Sequence, residues 1–396
     1  MKDYFFSIFK TNPQEVKGLN GIRALSFLMV IYLHMYRPYQ YFGFNEPNVW
    51  IENFLNNGSL CMDAFFVLSG YLIGGQLLKE KSKTNTIRYR TFFTKRVLKI
   101  FPPYYIFLIV QFFFFYNLSK HATDELVKAE SAKLVQRVVW DFTYMTDYIS
   151  GIMVHGWSLS VEEKFYILLP ILLFFMFKFK NPKHILLSLV GLILLTSVIR
   201  FIIFQMMEPG SLNFGTYLGT FYYPFHSRMD SLFLGVLLAG IQIYFPNNLD
   251  RFLKSTTSRY TALFSVICLL SIMFLTNEDR PDLFTCVFRF LFASVSWSFL
   301  LLKTFDEKSW TSKVLSMRIF SPIAKLSYSG YIIHLLCLGF LTKKFIGYQK
   351  IDYSDIFIWM VPIVFMILIY SYFYYLLTEK PFLILRNRLL HSNKDV

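Results

Sequence analysis

The chain alternates between apolar stretches and short polar ones along nearly its whole length. The apolar stretches lie at about residues 18–34, 59–78, 100–118, 165–179, 185–207, 232–245, 260–276, 285–302, 323–340 and 356–377. Most of them approach the ~20 residues that a helix needs to cross a bilayer. The two shortest are expected to extend into their polar flanks at 160–164 and 227–231. This pattern predicts an all-α membrane bundle of about ten transmembrane helices.

The composition agrees with a polytopic membrane protein and excludes a soluble globule of this length. Hydrophobic residues make up 55% of the 396 residues, charged residues only 16%, and the mean hydropathy is +0.44. The formal net charge of +15 could indicate nucleic-acid binding. The basic residues, however, lie in short runs between apolar stretches, as the positive-inside rule describes. We therefore predict contact with membrane lipids and no nucleic-acid partner.

The four cysteines have no functional pattern. Cys61, Cys268, Cys286 and Cys337 are scattered along the chain without the spacing of metal ligands. We interpret them as packing residues. We expect no disulfide framework, no metal site and no permanently bound cofactor.

Basic clusters follow every even-numbered apolar stretch, and such loops are typically cytoplasmic. The densest cluster occupies residues 79–99, and one loop with Lys343, Lys344 and Lys350 is discordant. The pattern predicts that both termini are cytoplasmic and that the number of spans is even.

This orientation divides the chain into three predicted parts. They are a cytoplasmic segment at 1–17, a membrane domain at 18–380 and a short basic cytoplasmic tail at 381–396. The longest polar interval, at about 119–164, is then an extracytoplasmic loop. Its aromatic end, which includes Trp157, predicts interfacial or re-entrant structure.

The first apolar stretch carries two ionisable residues, Arg23 near its start and His34 eleven residues later. At ~100° and ~1.5 Å per residue, eleven steps return to within ~20° of the starting direction and advance ~16 Å. Both side chains therefore share one face of the helix at different depths. Such a pair is costly in a membrane unless that face lines a cavity, so we infer a functional path. The alternative is that the two residues only anchor the helix in opposite interfaces.

Seven motifs stand in an order that resembles the acyltransferase-3 family of integral membrane acyltransferases. They are GLNGIRALSFLMVIYLH, DAFFVLSGYLI, FFTKRVLKIFPPY, HGWSLSVEEKFYILLP, SRMDSLFLGVLLA, LSYSGYIIH and TEKPF. Each motif alone is a weak signal, whereas seven in order over nearly the whole chain are a strong one. The resemblance implies about ten membrane helices. Some members also carry a fused extracytoplasmic SGNH domain, which we do not expect in this chain.

The resemblance also implies an activity. Members transfer an acyl group, usually acetyl from acetyl-CoA, to a hydroxyl of a carbohydrate or another acceptor. An arginine and a histidine in the first helix are regarded as essential, and they match Arg23 and His34. The implied donor is acyl-CoA, and the implied acceptor is a carbohydrate or glycolipid of the cell envelope, such as lipopolysaccharide, exopolysaccharide or peptidoglycan. The implied location is the bacterial inner membrane.

Acyl transfer to a hydroxyl needs a general base and a binding site for the acyl donor. Histidine titrates near neutral pH without help, so we assign the base to His34. The cationic residues that suit the donor phosphates are Arg23, Lys95, Arg96 and Lys99. Many family members carry arginines where this chain has its two lysines, and lysine binds phosphate as a point charge. The adjacent Pro102 and Pro103 suit the first turn of a helix.

The fourth motif holds two carboxylates with different predicted roles. Ser160 precedes Glu163 by three residues, a spacing typical of a capping box at a helix start. Glu162 has no such structural role and lies at a predicted membrane boundary. We predict that Glu162 orients His34 or binds the acceptor hydroxyl, and we place it with His34 in the catalytic group.

Several other polar residues keep two interpretations, a structural role or a role in binding the acceptor. They are Asp63, Ser69, Trp157, Glu163, Arg228, Asp230, His334 and Glu379. Arg228 and Asp230 would compensate each other's charge, and Ser69 with Gly70 would allow two helices to approach closely. His334 is either a relay group or a packing residue. Glu379 would fix the end of the last helix or lie at the donor mouth.

Three hypotheses for the function follow. The first is a membrane O-acyltransferase. The second is a transporter of a lipid-linked sugar or organic anion, in which Arg23 and His34 form a substrate and proton path. Transporters often show two-fold internal repeats, and the sequence has no self-similar halves. The third, a nonenzymatic partner subunit, fits the cluster of ionisable residues least well.

Overall fold

The computed structural model describes residues 2–9, 16–44, 48–347 and 351–392. Within these ranges the chain forms helices and no β-strand, which confirms the all-α class. The longer helices are α1 (Lys17–Tyr36), α2 (Cys61–Thr84), α3 (Tyr89–His121), α4 (Glu125–Phe142), α5 (Gly156–Met176), α6 (Pro182–Gln205), α7 (Phe225–Tyr244), α8 (Thr256–Leu275), α9 (Arg289–Lys303), α10 (Phe320–Phe345), α11 (Tyr353–Tyr374) and α12 (Lys380–Ser392).

The described chain has 8 helical segments that are long and apolar enough to cross a membrane. A ninth results if α7 and the following helix Pro246–Lys254, bent by 103° at their junction, form one span. Helix α5 has 21 residues and is also long enough, although it carries Glu162, Glu163 and Lys164. The described residues thus contain 8 to 9 candidate spans, against the about ten that the apolar pattern predicts.

The proline pair of the third apolar stretch does not begin a helix. Pro102 and Pro103 lie inside α3, so their predicted place in a first turn is wrong. Prolines are tolerated within a membrane helix where neighbouring groups bind the backbone carbonyls. Tyr328 of α10 donates its hydroxyl to Ile100 O at 2.7 Å. Tyr374 of α11 donates in the same way to Pro103 O.

The long polar interval contains α4 and a compact loop that leads into α5. Asp124 begins α4 by accepting the N–H of Leu126 at 2.8 Å. Near the end of α4, buried Asp141 accepts the backbone N–H groups of Ile152 at 2.7 Å and Met153 at 3.1 Å. Burial raises the pKa of the Asp141 carboxyl to about 6. This contact holds the loop that ends at His155, the residue before α5.

The central helices pack closely through glycine. A Cβ atom on Gly70 of α2 would lie 1.9 Å from Leu232 O of α7, and one on Gly235 would lie 2.1 Å from Val67 O. The predicted close helix approach at Gly70 is therefore confirmed. Helix α1 packs against both α2 and α10. These contacts place α1 in the interior of the bundle, with Arg23 and His34 at different depths.

Candidate active site

Helix α1 connects two cavities. Arg23 lines a cavity of about 620 Å³, here named the cationic cavity. His34 lines a second one of about 970 Å³, here named the histidine cavity. The ionisable face predicted for this helix therefore faces two compartments.

Six basic side chains line the cationic cavity. They are Arg23, Lys95, Arg96, Lys99, Lys325 and Arg386. The structure thus brings together all four residues predicted to bind the donor. Lys325 of α10 and Arg386 of α12, which were not predicted to bind the donor, join them.

Helix α3 supplies half of these cations because of their spacing. Lys95 and Lys99 are four residues apart, one helical turn, and therefore project to the same side. Arg96 donates to Gln76 Oε1 at 3.0 Å and lies 5.9 Å from the centre of the Tyr166 ring. Its Nε is buried and has no hydrogen-bond partner within the described chain. The site thus offers an unsatisfied donor to an anionic ligand.

The carboxylate of Glu162 also lies in the cationic cavity. It accepts the Tyr166 hydroxyl at 2.9 Å, and that hydroxyl lies 3.0 Å from Ser69 Oγ. The ring of His34 instead contacts Val30 and His334. The predicted orientation of His34 by Glu162 is therefore not what this geometry offers. Glu162 offsets part of the positive charge beside Arg23 and Lys99.

The capping box predicted from Ser160 and Glu163 is wrong. Helix α5 already begins at Gly156, so Ser160 lies inside the helix and bonds Thr146 Oγ1 at 2.7 Å. Glu163 has a buried Oε1 without a hydrogen-bond partner in the described residues. The three-residue spacing of Ser160 and Glu163 gave a wrong prediction because the polar start of α5 is buried in the bundle, where its hydroxyls bind other side chains.

Three of the other predicted residues line one cavity each. Ser69 lines the cationic cavity, as does Glu379, which accepts the Ser329 hydroxyl at 2.7 Å. Trp157 lines the histidine cavity and packs at 4.8 Å and 5.1 Å, centre to centre, against Tyr222 and Tyr223.

Polar groups and aromatic rings share the wall of the histidine cavity. The polar and ionisable residues are His34, Arg37, Gln40, Ser59, His155, Glu278 and Asp279. Arg37 contacts Glu278 at 2.6 Å and Asp279 at 3.4 Å. The cavity therefore combines apolar surface with a few fixed polar groups, which is typical of a small-molecule site.

His34 and His334 form a direct pair. His334 Nδ1 lies 2.6 Å from Tyr331 O, and a carbonyl only accepts, so Nδ1 carries the proton. Neutral His334 then accepts at Nε2, which lies 3.1 Å from His34 Nδ1. His34 Nδ1 also lies 3.0 Å from Val30 O. The neutral His34 is thereby protonated at Nδ1 and keeps its lone pair on Nε2.

A third histidine, His155, was not predicted as a site residue although it opens the fourth motif. Its Nε2 donates to Ile332 O at 3.0 Å, and its ring centre lies 5.1 Å from that of His334. It lines the histidine cavity and is buried. Within the described residues, no group of three His, Cys, Asp or Glu side chains is arranged to hold a metal ion.

Arg228 and Asp230 do not compensate each other. Residues two apart on a helix point in nearly opposite directions. Arg228 instead pairs with Asp63 at 2.9 Å, and Asp230 pairs with Arg200 at 2.6 Å. All four side chains are buried, so these pairs join helices inside the bundle. The geometry favours their structural interpretation.

Two buried arginines were missed by the sequence reading. Arg200, which binds Asp230, also donates to Ser227 O at 2.6 Å. Arg289 bonds Glu278 at 2.8 Å and the Tyr217 hydroxyl at 2.7 Å. A charged residue inside an apolar stretch is itself a signal of a functional or structural partner, and it could have identified both. Arg289 supports the wall of the histidine cavity through Glu278.

The two cavities meet at a shared wall. Of the described residues, Met62 and Tyr331 line both cavities. The Tyr331 hydroxyl donates to His155 O at 3.1 Å and lies 2.5 Å from Ser158 Oγ. A cationic compartment and a histidine compartment are therefore adjacent, and both border Met62 and Tyr331.

A family model described as an acyltransferase domain matches residues 16–378, which include the whole histidine cavity and most of the cationic cavity. The chain belongs to this family. Similar proteins include the O-acetyltransferase OatA of Staphylococcus aureus strain NCTC 8325 / PS 47 and that of strain COL. Each is 26% identical over 344 residues, which is 85% of this chain and 53% of the relative. The chain thus spans about half the length of these curated relatives. No solved structure matches it significantly.

Proposed function

We propose that this chain is a membrane O-acetyltransferase. It takes acetyl from cytoplasmic acetyl-CoA and transfers it to a hydroxyl of a cell-envelope carbohydrate. The observation that carries the proposal is the adjacency of the cationic and histidine cavities at Met62 and Tyr331. Membership of the acyltransferase family and similarity to the O-acetyltransferase OatA support it.

The cationic cavity suits the donor. Coenzyme A carries several phosphate charges, and the cavity offers six basic side chains against the carboxylates of Glu162 and Glu379. Arginine and lysine form charge-assisted hydrogen bonds with phosphate oxygens. The helix rise separates Arg23 from His34 by ~16 Å, about the reach of an extended pantetheine arm. A donor held by its phosphates would therefore present its thioester towards the histidine cavity.

His34 supplies the base. The acceptor hydroxyl gives its proton to His34 Nε2 while its oxygen attacks the thioester carbonyl. The new C–O bond forms and the C–S bond breaks. The departing thiolate then takes the proton from His34 and leaves as the free thiol of CoA. The products are an acetyl ester and CoA, and His34 returns to its neutral form.

The histidine cavity suits a carbohydrate acceptor. Trp157, Tyr222 and Tyr223 provide aromatic surface for the apolar faces of a sugar ring, while Arg37 and Glu278 provide polar partners for its hydroxyls. We place the acceptor here because the free lone pair of His34 lies in the wall of the same cavity.

Two variants test the proposal. His34→Ala removes the base and Arg23→Ala weakens the donor site, and each is expected to lower ester-linked acetyl on envelope glycans. The controls are His226→Ala and Arg251→Ala, which replace residues outside both cavities. Acetyl esters are released with mild base and measured by mass spectrometry at equal protein abundance. Unchanged acetylation in His34→Ala would refute the mechanism.

A second experiment separates the enzyme from the transporter. The purified protein is placed in liposomes and supplied with radiolabelled acetyl-CoA and a membrane extract that contains envelope glycans. Formation of labelled ester is expected. Movement of labelled solute across the liposomes without any turnover of acetyl-CoA would favour transport.

A further inference from the structure

We propose that Met62 and Tyr331 form the passage in which the acyl group is transferred, and that Met62 restricts the acyl group to acetyl. This inference rests on the proposed function, because it specifies where the donor and acceptor of that reaction meet. The thioester arrives from the cationic cavity, and the hydroxyl and His34 lie in the histidine cavity. The acyl carbon must contact both, so it has to reach the wall that the cavities share.

Tyr331 is the fixed side of this passage. Its side chain is 7% exposed, and its hydroxyl is held by His155 O at 3.1 Å and Ser158 Oγ at 2.5 Å. Its own carbonyl oxygen accepts from His334 Nδ1 at 2.6 Å. The ring therefore cannot turn away without breaking the contacts of its hydroxyl with His155 O and Ser158 Oγ.

Met62 is the adjustable side. Its backbone is fixed because the next residue, Asp63, is bound by Arg228 at 2.9 Å and by Ser231 Oγ at 3.0 Å. The side chain itself is unbranched and has three rotatable bonds, so it can adapt its shape more readily than a tyrosine ring. It is 6% exposed and ends in a thioether that makes no strong hydrogen bond. Met62 can thus yield to a small group but fills the space that a longer acyl chain needs.

The chemistry of the step explains why this wall selects the acyl group. When the acceptor oxygen attacks, the C–S bond breaks and the C–O bond forms at the acyl carbon. The remaining carbons of the acyl chain must then occupy the passage beside that carbon. Acetyl places only a methyl group there, whereas butyryl places a propyl group against Met62. Shortening Met62 should therefore admit the longer chain.

The test is a competition between two donors. Membranes of cells that express the full chain, with their own envelope glycans as acceptors, receive equal concentrations of acetyl-CoA and butyryl-CoA. Esters are released with mild base, and acetate and butyrate are quantified by mass spectrometry. Met62→Ala is expected to raise the ratio of butyryl to acetyl transfer at least about tenfold, because each methylene in an apolar pocket contributes roughly tenfold or more to discrimination.

Met176→Ala is the matched control. Met176 is 7% exposed, as buried as Met62, but lines neither cavity. Its ratio is expected to stay at the wild-type value. If Met62→Ala does not accumulate, the milder Met62→Val is measured in the same way and is expected to raise the ratio in the same direction.

The outcomes distinguish this inference from the proposed function. An unchanged ratio in a Met62 variant that still transfers acetyl would overturn the passage but leave the acetyltransferase intact. An equal rise in Met176→Ala would also overturn it, since the effect would then come from general loosening of the bundle. If the wild type transferred neither group, the proposed function would fail, and the passage with it.

Discussion

The hydrogen bond between His334 and His34 makes a quantitative prediction for catalysis. Replacing His334 by phenylalanine keeps an aromatic ring at a fully buried position and removes the Nε2 that accepts from His34 Nδ1. His34 then keeps one acceptor, Val30 O at 3.0 Å. The tautomer with a free Nε2 is therefore weakened, but it is not abolished.

The magnitude follows from the loss of one of two hydrogen bonds. A single hydrogen bond contributes about 0.5–1.5 kcal/mol, and 1.4 kcal/mol corresponds to a tenfold change. We expect kcat to fall about 3- to 10-fold in His334→Phe. His34→Ala, which removes the proposed base itself, is expected to lower kcat by about 100-fold or more. The KM for acetyl-CoA should not change in His334→Phe, because the cationic cavity does not include His334.

The assay measures initial rates of ester formation in membranes that contain the full chain, at increasing concentrations of acetyl-CoA. His334→Gln is the conservative variant, since its amide oxygen can accept from His34 Nδ1 and should restore much of the lost rate. His226→Phe, a histidine that lines neither cavity, serves as the control for the substitution itself.

Two results would refute this reasoning. If His334→Phe lost as much activity as His34→Ala at equal abundance, His334 would have a chemical role of its own. If His334→Phe kept the full rate, Val30 O alone would be enough to hold the tautomer. A rise in the KM for acetyl-CoA would indicate that the substitution disturbs the donor site.

Three further predictions concern stability. Asp63→Asn leaves Arg228 buried without the carboxylate that now lies 2.9 Å away, so the free energy of unfolding, measured by thermal unfolding, should fall by about 3–5 kcal/mol. The double variant Asp63→Leu with Arg228→Met removes both charges and should recover most of this loss. Gly70→Leu should prevent folding, because even a Cβ would lie 1.9 Å from a backbone oxygen of α7. The control Gly339→Leu, with nothing within 4 Å of its Cβ, should be tolerated. Folding is measured as the yield of monodisperse protein in size-exclusion chromatography. Burial raises the pKa of Asp141 from 3.8 to about 6, so the folded chain holds this proton more tightly than the unfolded chain. The free energy of unfolding should therefore fall as pH rises from about 4 to 6. Asp141→Asn should weaken this pH dependence in thermal scans.

Each of these has an outcome that contradicts it. A double variant no more stable than Asp63→Asn would show that Arg228 is not the reason for the loss. Normal yields of Gly70→Leu would show that α2 and α7 are free to separate. An unchanged pH slope in Asp141→Asn would assign that slope to other groups.

Hydropathy alone predicted most of the helices and the class of the protein. A membrane span must be apolar over about 20 residues, and this demand acts on each segment separately. The stretch at 185–207 corresponds to α6 and the stretch at 260–276 to α8, each within a few residues. The grouping of Lys95, Arg96 and Lys99 in one cavity was also predicted from sequence, since their motif and charge lie within one helix.

Short sequence patterns gave wrong predictions where residues distant in sequence supplied the hydrogen-bond partners. Pro102 and Pro103 are tolerated inside α3, where tyrosine hydroxyls from α10 and α11 bind carbonyls beside them. Ser160 and Glu163 have the spacing of a capping box, but the helix begins earlier, at Gly156. In each case the deciding contact comes from a segment distant in sequence.

The sequence by itself determined an apolar helical bundle and the likeness to membrane acyltransferases, and it placed Arg23 and His34 on one face of the first helix. Only the tertiary structure decided which partners these helices bring together. His34 meets His334 across 300 residues of sequence, and Arg228 meets Asp63 across 165. The wall formed by Met62 and Tyr331 likewise exists only because α2 and α10 both pack against α1. Hydropathy is a property of one segment, whereas a cavity depends on how several helices face one another.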